Sequence, residues 1–180
     1  MGIVDPIREM IAKLTTLNVV NGQGQTVPLF ARVWNNQFAQ EALGEYDPFP
    51  RPCAFVEIMK GGSGDSGLGE GFAGYDVTWR IHLSHELYDA GDGTMDQDLG
   101  IFDLKDHVID LLTYFEMVYC SGLMCIHEEQ DFNHSNIYHY IVDFKCHFIE
   151  VAGDQTTADI DSVPPVLLEI DAQFTDTITE

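Results

Sequence analysis

Two stretches of this chain alternate apolar and polar side chains with a period of two. From Gly74 to Tyr88, Tyr75, Val77, Trp79, Ile81, Leu83 and Leu87 fall on one parity, and Asp76, Thr78, Arg80, His82, Ser84 and Glu86 on the other. From Asn136 to Glu150, Tyr138, Tyr140, Val142, Phe144, Cys146 and Phe148 alternate with His139, Ile141, Asp143, Lys145 and His147. Period two is the signature of a strand with a dry and a wet face. At about 3.3 Å per residue the first would run roughly 50 Å, so it bends or reaches past its own core. Two such strands separated by one helix predict a sheet covered on one face and polar on the other.

Helical spacing appears twice. Asp5-Pro6 opens a predicted helix, with Ile3, Ile7, Met10, Ile11, Leu14 and Leu17 as its stripe and turn chemistry from Asn18 through Gly24 as its end. Asp103 caps a second, running to about Tyr119, with Leu104, Val108, Leu111, Leu112, Phe115 and Val118 on its dry side and Gly122 as terminator. Val27–Trp34 reads as an edge strand because of Pro28, Cys53–Met59 as a short buried one, and Leu123–Glu129 as another. The prediction is an α+β fold, a mainly antiparallel sheet packed on two helices.

The connections carry the remaining signals. Asn35–Pro52 is polar and proline-rich, favouring extended or turn backbone. Lys60–Gly74 holds seven glycines. Its Gly62–Gly67 segment fits G-x-G-x-x-G, but a strand follows where the dinucleotide motif needs a helix, and the Walker lysine is missing. A hairpin arm between antiparallel strands is the better reading. The acidic run Asp89–Asp98 lacks calcium-loop spacing. Residues 1–150 thus form one domain, and 151–180 an acidic extension in which Val166, Leu167, Leu168 and Ile170 make an isolated apolar patch suited to docking by strand addition or to folding back on its own domain.

Charge narrows the function. Thirty acidic residues against eight basic ones leave a formal net charge of -22 over 180 residues and a pI near 4.2. Such a surface repels phosphates, so nucleic-acid binding is disfavoured. No apolar run reaches the length of a membrane span, and the N-terminus lacks signal-peptide layout, which predicts a soluble product made in the cytosol. Cys53, Cys120, Cys125 and Cys146 form no C-x-x-C pair and are expected as free, mostly buried thiols. Seven histidines raise the question of a metal, but His82 and His85 point to opposite faces, and His139 and His147, although on one face, lie about 26 Å apart. No zinc or nucleophile-elbow motif occurs, so neither a catalytic residue nor a cofactor or metal is assigned.

The element order from Asp5 to Glu150, the proline-led strand RPCAFVEI, and the paired strands GYDVTWRIHL and YHYIVDFKCHF resemble the tail-terminator and tail-completion proteins of long-tailed bacteriophages. The C-terminal extension and the long 35–52 connection go beyond that family's compact pattern. The resemblance implies a non-enzymatic virion protein of the head-tail joining region. It would be a homo-oligomeric ring, usually a hexamer, seated on the tail tube, ending tube polymerisation and meeting the neck or connector proteins. DNA would pass its acidic lumen without specific binding. Contact residues are then expected in the 61–74 arm (Gly64, Asp65, Leu68, Phe72), the 89–100 loop (Asp92, Met95) and the tail (Val166, Leu167, Ile170). Another connector or head-completion subunit, or a small ligand-binding or enzymatic α+β domain, are the alternatives.

Overall fold

A computed structural model describes residues 4–21, 23–43, 49–59, 72–85, 100–131 and 138–151. The sequence-derived α+β class holds. In chain order the elements are α1 (Val4–Thr15), β1 (Asn18–Val20), β2 (Thr26–Pro28), β3 (Phe30–Val33), α2 (Gln37–Ala42), β4 (Cys53–Met59), β5 (Phe72–His85), α3 (Gly100–Leu112), β6 (Met124–Asp131) and β7 (Tyr138–Val151). Five strands form one sheet in the order β3-β4-β5-β7-β6, with β3 parallel to β4 and every other pairing antiparallel. No helix among the described residues is long and apolar enough to cross a membrane.

The two long strands are central and pair along their whole length, Phe72 with Val151 through His85 with Tyr138. Their dry parity is the one read from the alternation. Val77, Trp79, Ile81 and Leu83 on β5 and Val142, Phe144, Cys146 and Phe148 on β7 are buried, joined by Ala54 and Val56 of β4. Met10 and Leu14 of α1 and Ile101, Leu104, Val108 and Leu112 of α3 complete this core. Burying a large apolar side chain contributes about 1.5–3 kcal/mol, so this layer is the principal stabilising term.

Four local expectations are corrected. Val27–Trp34 is not one strand. Leu29 separates β2, which pairs with an unforeseen β1, from β3, which joins the main sheet; Leu29 donates its backbone N–H to the Leu17 carbonyl, and that bond turns the chain. The helix expected to reach Tyr119 stops at Leu112, because Tyr114 adopts a left-handed φ of 61° and its N–H bonds the Leu123 carbonyl. Gly122 therefore does not terminate that helix. At its other end the helix starts not at Asp103 but at Gly100, a position where a Cβ would stand 2.9 Å from the His85 ring. Finally, the 35–52 connection contains α2, whose Phe38 is buried.

Candidate functional site

The wet parity of the sheet is only half wet. At one end α2, with Trp34 before it and residues 49–52 after it, covers that face. Phe38, Cys53 and Phe55 are buried there beside Phe30, Trp34 and Phe49. This accounts for the run Cys53–Val56 being buried at four successive positions: β4 is covered on both sides. The expectation of one covered and one polar face is corrected accordingly. Only the other end, with Asp76, Lys145 and His147, is open.

Beneath that cover a row of polar side chains crosses four strands. Glu57 of β4 meets His82 of β5, Oε2 to Nε2, at 3.0 Å. His82 Nδ1 meets His139 Nε2 of β7 at 3.0 Å, and His139 Nδ1 meets Asp131 Oδ2 of β6 at 2.9 Å. The row follows from register. Glu57 is opposite Arg80, His82 opposite Ile141 and Ser84 opposite His139, so the first two contacts are diagonals, while Asp131 and His139 are directly paired. His82 is 5% exposed and His139 2%. The Trp34 indole stacks on His82, and Phe38 presents its edge to His139 at 4.9 Å.

Ion pairs flank the row. Arg80 clamps Asp143 through Nε and Nη2 at 2.8 and 2.9 Å, a bidentate fork that also raises the guanidinium's pKa. Arg51 bonds Glu41 of α2 and donates to the Ser84 hydroxyl, tying the cover to β5. Burial lowers the proton affinity of His82, opposed by its bond to Glu57. Histidines 57 residues apart in the sequence gave no signal while each strand was read separately; the usable clue was the surplus of aromatic side chains, Trp34, Phe38 and Phe49, around a connection otherwise polar.

A second feature lies at the sheet edge. β6 is an outer strand, and Met124 through Glu129 are all exposed, Met124 at 55% and Ile126 at 49%. Among the described residues no strand pairs with its outer side. A bulge between Cys125 and His127 interrupts its register with β7. Beside it Lys105 of α3 bonds Asp106 and Glu128 at 3.0 Å each.

Of the contact residues named from the sequence, Phe72 is the first residue of β5, paired with Val151. Gly64, Asp65, Leu68, Asp92, Met95, Val166, Leu167 and Ile170 lie outside the described residues. Among the described residues no group of three or more His, Cys, Asp or Glu side chains converges as metal ligands do. The four cysteines are free; Cys53 and Cys146 are buried, Cys120 is intermediate, and Cys125 is exposed, against the expectation of burial. Compared with known proteins, the sequence matches no family model and no curated relative.

Proposed function

We propose that this protein is a structural subunit of a bacteriophage virion, assembling with copies of itself into a closed, hexameric ring at the head-proximal end of the tail tube. There it ends tube polymerisation and offers the surface to which neck proteins attach. The observation that carries this reading is β6: a long outer strand, exposed on both faces, bearing Met124 and Ile126 beside an open backbone edge. Charges and a bulge are the usual ways to blunt such an edge, and β6 carries both, in the bulge between Cys125 and His127 and in Glu128 and Glu129, yet Met124 and Ile126 stay exposed beside them. The opposite edge of the sheet is β3, so a β6-to-β3 contact would join unlike surfaces, and head-to-tail contacts of that kind give a ring when the rotation between copies closes and a filament when it does not. Arg32 on β3 and Glu129 on β6 bring opposite charges to the two edges. The strongly acidic composition suits a lumen through which DNA moves without adhering. The work is surface fit, with no chemical step.

Native mass spectrometry of the purified protein, alone and with tail tubes, tests the proposal. A six-copy species that caps tubes is expected, with Cys125 shielded from alkylation on assembly. The double variant Met124→Glu, Ile126→Lys should remain folded and fail to form it. A protein that stays monomeric with and without tubes, Cys125 equally reactive in both, would end this reading.

A further inference from the structure

We propose that the row Glu57, His82, His139 and Asp131 is a buried binding site for a single proton, shared by the two imidazoles, and that this proton latches the Trp34–Phe38 cover onto the sheet.

Hydrogen-bond donors along the row fall one short of what its contacts require. An ionised carboxylate only accepts, so His82 Nε2 must donate to Glu57 and His139 Nδ1 must donate to Asp131. A neutral imidazole has one N–H. If both rings were neutral, those two donations would use both hydrogens, and His82 Nδ1 and His139 Nε2 would oppose lone pairs across 3.0 Å. One further proton satisfies these three contacts. His139 then donates through both nitrogens, as imidazolium, to Asp131 and His82, while His82 stays neutral. Asp131, the less exposed of the two end carboxylates, lies against His139 and favours the charge there, while burial disfavours the charged form of His82.

The 3.0 Å contact between the rings has room for one hydrogen, and this limits the row to a single added proton although two carboxylates flank it. The carboxylates of Glu57 and Asp131 stand at the ends of the row, and the Asp143 charge is cancelled by its fork with Arg80. Arg51 is paired with Glu41, Ser84 accepts from Arg51, and the covering side is the aromatic pair Trp34 and Phe38. On β6, Glu129 faces His127 at 3.5 Å. A second proton, taken up as pH falls, would set N–H against N–H and cation against cation. Loss of the first, as pH rises, leaves lone pairs opposed. Relief then requires His82 to change tautomer, turning a bare Nε2 toward Glu57, and the Glu57 side chain, 37% exposed against 16% for Asp131, is the end that lets go. Either change disturbs the ring on which Trp34 rests.

The test is a pH titration of the full chain labelled with 15N in histidine, read from the ring nitrogens. Near pH 7.5, His139 should show both nitrogens protonated and His82 the neutral Nε2–H form. In Asp131→Asn, His139 should lose its proton at least one pH unit lower, roughly a tenfold loss of proton affinity. Both rings neutral at pH 7.5, or no displacement in Asp131→Asn, overturns the site. If the variant does not fold, the wild-type titration decides alone. The latch has its own readout: amide exchange in residues 37–43, relative to α3, should rise above the pH at which His139 deprotonates. A constant ratio across that pH overturns the latch.

Discussion

The indole of Trp34 lies flat on the imidazole of His82, ring centroids 3.8 Å apart and planes 9° from parallel. The contact joins the segment after β3 to the C-terminal part of β5, and it closes a face that strand periodicity alone marks as wet. Phe38 packs edge-on to the indole at 5.2 Å, and Phe55 lies tilted against it at 6.0 Å. Such pairs add about 0.5–1.5 kcal/mol beyond area burial.

Trp34→Ala should therefore destabilise the protein by about 3 kcal/mol, and Trp34→Phe by clearly less, because the smaller ring retains part of the contact with Phe38 and His82. Urea unfolding measures both. A cost for the alanine variant below about 1 kcal/mol would show that the cover contributes little to stability.

Arg80 and Asp143 form a two-bond pair with Asp143 only 8% exposed. Arg80→Met leaves that carboxylate buried and unpaired, and should cost about 3–5 kcal/mol. The double variant Arg80→Met, Asp143→Leu should recover most of the loss. Denaturant unfolding of the two single variants and the double one closes the cycle; a double variant as unstable as Arg80→Met would place the cost in lost packing instead.

At the open end of the sheet, Lys145 at 2.7 Å, and after it His147 at 3.3 Å, hold the Asp76 carboxyl below the usual carboxylate range. A depressed folded pKa stabilises above the unfolded value, and that contribution disappears as pH falls through the folded one. Carboxyl-carbon NMR should find Asp76 titrating low, and Lys145→Met should move it back up. The displacement should shrink in high salt, because this pair is solvent-exposed.

The cysteines should react in order of environment. Burial is the main force pushing the Cys53 thiol up to about 12, whereas Cys125 is exposed on β6. Iodoacetamide at pH 8, followed by peptide mass mapping, should label Cys125 first and reach Cys53 only after unfolding. Because folded Cys53 keeps its proton where the unfolded thiol has lost it, stability should also fall as pH rises from the ordinary thiol value toward 12. Early labelling of Cys53 in the native protein would contradict its burial.

The chain's local pattern was enough to place the principal core. Tyr75 through Leu83 and Tyr138 through Phe148 declare their dry parity without knowledge of any partner, since a strand turns alternate side chains to opposite faces whatever it pairs with. The stripes of α1 and α3 follow equally from 3.6-residue spacing. The continuous apolar run at the start of β4 likewise marked that strand as buried, though not that a second layer would cover the other face of the sheet there. Only the tertiary structure decided the rest. Tyr114 ends α3 early through a bond to Leu123 across a loop, and local propensity contains no record of that bond. α2 folds within a stretch that read as a polar connection, because Phe38 finds Phe55 and Trp34 to pack on. His82 and His139, unremarkable on separate strands, become one hydrogen-bonded unit only once the register of β5 on β7 is set. Side-chain periodicity is carried by the strand itself, whereas register is a property of two strands together, and a buried polar row exists only in the second.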